Sequence, residues 1–456
     1  MGHTFKIKIW SIRERKRARK TSFELRWLVG NEEQSETFDT FTLADNRRSE
    51  LKVAVQRGEA FDEATGLPVS ELRRRNDVAW YQHAREYIDM KWTDSPASTR
   101  RTLAEAMATV TPALVTDTRG MADNRTVRTA LYSWAFNRHR WDEEPPEELQ
   151  AVLDWFERKS VPISALTDPM VTRKALDSLK RKLDGTTAAS ISIRRKRAIF
   201  HNALEYAIEA GRLPENPIHK VKWSLPDPVD EVIDPATVPN PQLTRKLLNA
   251  VRLQGARGRR LHAFFGCLYY GTARPAEGVG LDRSGCRSLP KRGWGLLAYQ
   301  RTRPRVGTAW TNSGQAHDDR GLKKRPRKAV RLVPIPPELV AMLRWHIEAY
   351  GFAPDGRLFR TNRGGLLQDT GYGEVWERAR KAVLPAHLLA TDLAKDPSSL
   401  RPAGLSGQLS AGVAPQTVAQ RAGHGVDVLL RVYARFVHDS DEDANRRISE
   451  WLRQWG

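Results

Sequence analysis

Four segments in the second half of the chain carry side chains suited to chemistry at a phosphate. They are 269–281, 321–336, 399–406 and 422–433, and in chain order they hold Arg274 with Glu277, Lys323, Arg401, and His424 nine residues before Tyr433. A guanidinium group donates paired hydrogen bonds to phosphate oxygens and stays charged at neutral pH. Lysine, histidine and tyrosine add acids, hydrogen-bond donors and a nucleophile. The set therefore favours chemistry on a phosphate ester.

Common nucleotide and metal motifs are absent from the sequence. It has no Walker-type glycine loop, no His-Glu-x-x-His, no Gly-x-Ser-x-Gly and no dinucleotide-binding fingerprint. Its two cysteines, Cys267 and Cys286, are too few for a disulfide scaffold or a four-thiolate zinc site. We therefore expect phosphate chemistry without a cofactor, a metal ion or a bound nucleotide.

The net charge points to a polyanionic partner. The 456 residues include 75 Lys and Arg against 54 Asp and Glu, a formal charge of +21. A solvated basic surface is the plain alternative, but an excess of this size favours nucleic acid, because binding releases counterions from phosphates. No apolar run reaches the ~18 residues of a membrane span, and the first residues lack a secretory signal. We expect a cytoplasmic, nucleoid-associated protein of several domains that does not contact a membrane.

In this order the residues resemble the tyrosine recombinase, or phage-integrase, family, and most of all integrases of actinobacterial phages and integrative elements. The matching motifs are Ala-Arg-Pro-x-Glu from 273, Gly-Leu-Lys from 321, Arg401, and Gly-His from 423 followed by Tyr433. The resemblance covers nearly the whole chain. It implies a multidomain fold: a small α+β N-terminal arm-binding domain, an all-α core-binding domain, and a mainly α catalytic domain with a small β-sheet.

The resemblance also implies how the phosphate is held. Arg274 and Arg401 would bind its nonbridging oxygens, and His424 would donate a hydrogen bond to it in the transition state. Glu277 would orient Arg274 and would not take part in the chemistry itself.

The nucleophile and the general acid are implied in the same way. Tyr433 would attack phosphorus to form a 3′-phosphotyrosyl bond, which conserves the ester energy so that rejoining needs no ATP. Lys323 would protonate the 5′-oxygen leaving group, with Lys324 as its rival. The implied function is site-specific DNA recombination that integrates and excises a mobile element, such as a viral genome.

Two positions depart from the family pattern. The family usually has His-x-x-Arg at the second arginine and often a histidine just after it, and here those places hold Ser398 and Pro402. Serine is a poor base at neutral pH, although it can still donate a hydrogen bond to phosphate. Proline at the first helical position would leave Arg401 at the cap, facing an anion at the helix start. We therefore expect slow or impaired turnover.

Other interpretations of these residues and of the function stay open. Taken singly, each arginine is more often a surface ion pair, and a helical tyrosine more often packs at the edge of a core. The chain would also fit a catalytically impaired relative that acts as a sequence-specific or architectural DNA-binding protein. A type IB topoisomerase shares the Arg, Lys and Tyr chemistry, but a separate basic N-terminal segment and a terminal docking helix argue against it.

Residues 1–62 are predicted to form the arm-binding domain. Alternating apolar residues predict strands at 5–10, 23–28 and 36–41, and Thr42 with Asp45 resembles a capping box that opens a helix toward Gly58. Between the first two strands lies a basic hairpin tip. Its charge density favours DNA contact by Arg13, Arg15, Lys16, Arg17, Arg19 and Lys20.

Three further regions follow. Helical periodicity marks 77–223 as the core-binding domain, a proline-rich stretch at 224–239 as a linker, and 240–456 as the catalytic domain. In the catalytic domain, helices are predicted around 258–270, 336–350, 371–383, 402–412, 415–422 and 427–437. Strands are predicted at 295–302 and 329–335.

The last helix carries an apolar stripe. Ile448, Trp451, Leu452 and Trp455 stand at helical spacing, and such a face is usually buried in its own domain. In the resembled family the C-terminal segment packs on a neighbouring protomer. We therefore expect a homotetramer on double-stranded DNA that bears core and arm attachment sites. A host bending factor and an excisionase are further expected partners.

Overall fold

The computed structural model of the protein describes residues 2–17, 20–182, 186–224, 233–322, 326, 329–433 and 441–455. The chain forms two compact units, one of residues 1–95 with 99–227 and one of residues 96–98 with 228–456. The finer division into three domains and a linker stays a prediction, and half of the linker, 225–232, lies outside the described residues. No helix in the described ranges is long and apolar enough to cross a membrane.

The N-terminal part of the first unit is a small sheet covered by a helix. Its strands are β1 His3–Thr4, β2 Ile7–Ile9, β3 Arg13–Arg17, β4 Lys20–Val29, β5 Glu32–Phe38 and β6 Phe61–Asp62. The long strand β4 is central: β2 and β3 pair antiparallel along one side of it and β5 along the other. Leu25, Trp27 and Val29 point to one face and are buried with Leu51 and Ala54 of α1, Phe41–Gln56. Period-2 alternation in β4 therefore builds the core of this part.

Two local predictions for this region are wrong. The cap of α1 is Thr40, whose hydroxyl accepts from the backbone nitrogen of Leu43, and not Thr42. The basic run is largely a strand rather than a hairpin tip, because β3 pairs with β4 from Arg13 opposite Glu24. Arg19 lies outside the described residues.

The rest of the first unit is built from helices. They are α2 Val69–Arg75, α3 Trp80–Trp92, α4 Ala97–Val110, α5 Asn124–Ala130, α6 Glu147–Lys159, α7 Pro169–Ser178 and α8 Ser190–Glu209. Trp80 is fully buried, meets Phe200 edge to face at 5.5 Å between ring centroids, and donates from Nε1 to Thr111 Oγ1 at 2.9 Å. Aromatic residues at helical spacing thus form the core that joins α3 to α8.

The second unit is mainly helical with a small antiparallel sheet. Its helices are α9 Pro241–Arg252, α10 Gly255–Tyr269, α11 Pro275–Val279, α12 Pro337–Tyr350, α13 Asp369–Val383, α14 Ala386–Leu389, α15 Leu400–Ser410, α16 Pro415–Ala422, α17 Val426–Tyr433 and α18 Asp441–Trp455. Its strands are β7 Cys286–Ser288, β8 Gly295–Tyr299, β9 Arg301–Thr302, β10 Arg320–Gly321 and β11 Arg331–Ile335, with β8 between β11 and β7. The predicted fold class, an α+β start, a helical middle and a mainly α end with a small sheet, is confirmed.

Helix α10 is the centre of this second unit. Its Phe264, Phe265 and Leu268 are fully buried, and the ring of Phe265 lies 5.4 Å from that of Trp376 on α13. The helix also packs on α9, α12 and α15. Because its last residues lead directly into the turn before α11, this core fixes the position of Arg274.

Candidate active site

Glu277 is the centre of a buried cluster of charged groups. It lies in α11 with 1% of its side chain exposed. Its Oε2 accepts from the backbone nitrogen of Arg274 at 2.8 Å, and its Oε1 accepts from Arg274 Nη1 at 2.9 Å. Arg331 Nη2 donates to Oε2 at 2.5 Å, and Arg401 Nη1 stands 3.8 Å from the same oxygen. One carboxylate therefore faces three guanidinium groups.

Arg401 reaches this cluster from α15. It is 8% exposed, and its guanidinium group donates to the carbonyl of Thr272 and, at 2.5 Å, to the carbonyl of Ala422. The predicted cap position is wrong, because α15 begins at Leu400 and includes Arg401. Pro402 is accommodated inside the first turn, where backbone N–H groups have no partner within the helix anyway.

The turn before Arg274 is tight and strained. Thr272 is fully buried with φ at 47°, a left-handed conformation that β-branched residues rarely adopt. A Cβ on the preceding Gly271 would stand 2.6 Å from the Tyr299 hydroxyl and 2.8 Å from the Cys267 carbonyl, so only glycine fits there. Such outliers cost on the order of 1–3 kcal/mol and persist only where the surroundings impose them.

A second glycine allows α15 to approach α10. A Cβ at Gly404 would stand 2.0 Å from the carbonyl oxygen of Tyr269, the last residue of α10. Helix α15, which carries Arg401, is therefore held by backbone contact against the end of α10, which leads into the turn before Arg274.

His424 and Tyr433 come from the C-terminal helices. Helix α16 ends at Gly423, which is left-handed with φ at 75°, and His424 follows it. The rings of His424 and Tyr433 are nearly parallel, 6.4 Å apart at 12°. Tyr433 is 4% exposed and packs in a hydrophobic cluster with Leu405 and Leu429. This places the ring of Tyr433 in a core, while its pKa responds to the charges of the arginines.

Burial, together with the excess of guanidinium groups over carboxylates, shifts the pKa values of these side chains. Burial, then the positive charge of Arg274, lowers the pKa of Arg401 to about 9, which still leaves it charged at neutral pH. Burial, then Arg401, lowers the pKa of His424 to about 4, so its ring is neutral. Burial raises the pKa of Tyr433 although the arginines oppose this. Burial alone would raise the pKa of Glu277, but the three guanidinium groups lower it.

Four of the predicted site residues, Arg274, Arg401, His424 and Tyr433, are brought into one neighbourhood together with Glu277. Lys323 and its rival Lys324 lie outside the described residues. Ser398 is exposed on the short 3-10 turn before α15, and its hydroxyl makes no hydrogen bond to any described residue. Ser398, which occupies the usual position of a histidine, is therefore not part of the cluster around Glu277.

Sequence reasoning missed Arg331. It is the first residue of β11, whose alternation buries Arg331, Val333 and Ile335 on one face. An arginine at an inward position of an otherwise apolar strand is the signal that was available, because a buried guanidinium group requires a buried carboxylate.

The sheet of the first unit presents a basic face. In the β3–β4 register Arg13 and Arg15 lie opposite Glu24 and Ser22, on the face away from Leu25 and Trp27. Arg15 forms an ion pair with the buried Glu24 at 2.6 Å, and Lys20 pairs with Asp39 at 2.7 Å.

Lys8, Trp10 and Arg26 belong to the same open face, and the guanidinium of Arg26 lies 5.4 Å from the centre of the Trp10 ring. Lys16 alternates to the other face, opposite Thr21. We find no group of three or more His, Cys, Asp or Glu side chains placed to hold a metal ion in the part of the chain that the structure describes.

Comparison with known proteins gives only structural matches. No family model matches the chain, and no curated protein matches it in sequence. Among solved structures it is similar to the Tn1549 transposon integrase in complex with transposon right-end DNA, at 18% identity over 69% of this chain and 96% of that one, with a TM-score of 0.48.

Two further matches are of the same kind. The XerH site-specific recombinase bound to a difH substrate is 11% identical over 81% of this chain and 94% of that one, with a TM-score of 0.46. A lambda integrase dimer bound to a COC′ core site is 11% identical over 93% and 94%, with a TM-score of 0.48. All three are integrases or site-specific recombinases, the class that the sequence motifs resemble.

Proposed function

We propose that this protein is a site-specific DNA recombinase of the tyrosine recombinase class, which cuts and rejoins DNA through a 3′-phosphotyrosyl intermediate. The observation that carries the proposal is the charge of the site. Three guanidinium groups, two of them nearly fully buried, share the single carboxylate of Glu277. Buried positive charge in excess of its counter-charge is costly unless an anion completes it. A phosphodiester supplies that anion.

The chemistry can be assigned to this chain's own groups. Arg274 and Arg401 bind the nonbridging oxygens and stabilise the charge that develops on the pentavalent phosphorus. The Tyr433 oxygen forms a bond to phosphorus, the bond from phosphorus to the 5′-oxygen breaks, and the phenolic proton leaves to water. The 5′-oxygen takes a proton from Lys323, a role that rests on the sequence motif alone. His424, neutral at pH 7, donates a hydrogen bond to the phosphate.

The open face of the N-terminal sheet supports arm-DNA binding. Its exposed basic residues stand beside Trp10 on strands that are adjacent in space, and a β-ribbon fits into the major groove. Among the predicted contacts, Arg13 and Arg15 belong to this face. We propose that the face, rather than a hairpin tip, contacts duplex DNA.

Helix α18 supports self-association. Ile448, Trp451, Leu452 and Trp455 are 56%, 59%, 56% and 78% exposed. An apolar stripe of this size on a surface helix marks an interaction site. We propose that it docks on a second copy of the chain when recombinase subunits assemble on DNA.

The test is capture of the covalent intermediate. Nicked suicide duplexes of randomised sequence are incubated with the protein in EDTA without ATP, and protein–DNA adducts are isolated under denaturing conditions. The wild type is expected to form an adduct that Tyr433→Phe abolishes. Tyr372→Phe is the matched control, since this tyrosine packs on Phe264 in the same unit. An adduct that persists in Tyr433→Phe would refute the proposed recombinase activity. The absence of an adduct with the wild type would refute it as well.

Ser398 favours a second candidate, an impaired relative that binds DNA without cutting it. Its side chain is exposed and bonded to no described residue, so the usual histidine has no evident substitute there. This candidate predicts salt-sensitive DNA binding without an adduct. Ser398→His would then create adduct formation that the parent lacks.

A further inference from the structure

Arg331 connects two parts of the proposed site without facing solvent. It is 2% exposed, so it cannot reach a duplex. Its Nη2 donates to Glu277 at 2.5 Å, and its Nη1 donates to the carbonyl of Arg421 at 2.5 Å. Its guanidinium group also lies 4.4 Å from the centre of the Tyr299 ring. The guanidinium group therefore lies in the protein interior, where its Nε has no partner among the described residues.

The two hydrogen-bonded partners lead to different site residues. Glu277 holds both the backbone and the side chain of Arg274. Arg421 is in the last turn of α16, two residues before the left-handed Gly423 and three before His424. Carbonyls in the last turn of a helix have no partner within the helix, so an arginine there fixes where the helix ends.

We propose that Arg331 is a positioning residue that aligns Arg274, through Glu277, with His424, through the end of α16. This inference rests on the proposed function, since it concerns the geometry of the same site. It names a residue outside the motifs that carry the family resemblance. Lysine cannot replace it fully, because one ammonium group on a flexible stem lacks the planar fork that serves two fixed acceptors.

Charge supports the same role. Among the three guanidinium groups that face Glu277, Arg331 lowers the carboxyl pKa most, followed by Arg401 and Arg274. Without Arg331 the pKa of Glu277 is expected to rise. Protonated Glu277 would lose one of its acceptor oxygens and release Arg274 as the pH falls.

The experiment compares Arg331→Met with Arg380→Met. Arg380 is a matched control: it is 4% exposed in the same unit, and it too donates to one carboxylate, Glu377, and to the carbonyl of Leu393. Single-turnover cleavage is expected to fall about 100-fold in Arg331→Met, the usual consequence of displacing catalytic groups by about 1 Å. DNA affinity should stay unchanged, and the loss of cleavage should deepen as the pH falls. Arg380→Met should lose stability only.

Coupling to Glu277 separates positioning from general destabilisation. Arg331→Met added to Glu277→Gln should reduce cleavage little beyond Glu277→Gln alone, because both act through one contact. Full additivity, or equal cleavage in Arg331→Met and Arg380→Met, would overturn the inference. If Arg331→Met does not fold, Arg331→Lys is used in its place in the cleavage assay. Arg331→Lys should keep the pH profile of the wild type with a lower rate, and a wild-type rate would equally refute the role.

Urea unfolding provides a readout that needs no cleavage. Since Arg331→Met raises the pKa of Glu277, the variant should lose less stability relative to wild type at pH 5 than at pH 8. Glu277→Gln should remove that difference. A wild type that forms no adduct would refute the proposed function, whereas a pH-independent loss of stability would refute the action through Glu277.

Discussion

The backbone contact between α10 and α15 makes Gly404→Ala the most informative single substitution. The added Cβ would stand 2.0 Å from the Tyr269 carbonyl oxygen, whereas real Cβ atoms essentially never come closer than 3.0 Å. The obstacle is backbone at the end of a packed helix, so α15 has to retreat by about 1 Å or more. Arg401, three residues earlier on α15, would retreat with it from its partners Thr272 and Ala422.

The expected magnitudes follow from that displacement. Overpacking of this kind costs about 1–3 kcal/mol of unfolding free energy. If Arg401 binds the phosphate as proposed, moving its guanidinium by about 1 Å is expected to slow cleavage roughly 100-fold. Gly407→Ala is the matched control on the same helix, because no described atom outside the adjoining residues and backbone of α15 lies within 4 Å of its added Cβ. Replacing an unhindered helical glycine by alanine should stabilise by about 0.5–1 kcal/mol.

Thermal unfolding and single-turnover cleavage of a suicide duplex, measured on both variants, test the reasoning. Gly404→Ala should melt several degrees lower and cleave slowly, and Gly407→Ala should match or exceed the wild type in stability. Equal stability of the two variants would show that α15 does not approach α10 as described. A normal cleavage rate in a destabilised Gly404→Ala would show that Arg401 does not depend on this contact.

Three further outcomes are expected. His83 is fully buried between the Ala203 carbonyl and Arg212, and burial lowers its pKa to about 4. As the pH falls, the imidazole of His83 is therefore protonated in the unfolded chain before it is protonated in the folded protein. Roughly 3 kcal/mol of unfolding free energy should be lost between about pH 6.5 and pH 4. Urea unfolding of His83→Gln and wild type across this pH range tests the prediction. Trp451→Glu should reduce self-association on DNA in light scattering while leaving the monomer folded, and unchanged assembly would contradict docking by α18. Arg13→Gln should weaken arm-DNA binding and reduce the slope of log Kd against log salt by about 1, and an unaltered slope would exclude this residue from the phosphate contacts.

Sequence pattern was sufficient for the elements with a strong period. Strand β4 alternates apolar and polar residues from Phe23 to Trp27, and β8 and β11 are short, mainly apolar runs, so the existence of these strands could be predicted from the sequence. The boundary errors at Thr40 and Leu400 share one cause. Several residues in a first helical turn satisfy the same capping rules, and only tertiary contacts choose among them.

The residues of the candidate site could be proposed from the sequence, but the hydrogen bonds and ion pairs that join them could not. Arg274, Arg401, His424 and Tyr433 could be named from their order along the chain. Neither the hydrogen bond from Arg401 to the Thr272 carbonyl nor the ion pair of Arg331 with Glu277 could be predicted from spacing, because both join segments that are brought together only in the folded unit. Contacts between segments that are far apart in sequence are set by the whole core.

The left-handed backbone of Thr272 is a local strain two residues before Arg274, and this strain lowers the stability of the fold. Exchange to glycine would relax the backbone at that point, and laboratory selection for heat resistance is expected to favour it. The same exchange would make Arg274 more mobile. Selection for thermal stability and selection for the rate of the proposed recombination would therefore favour different residues at this position.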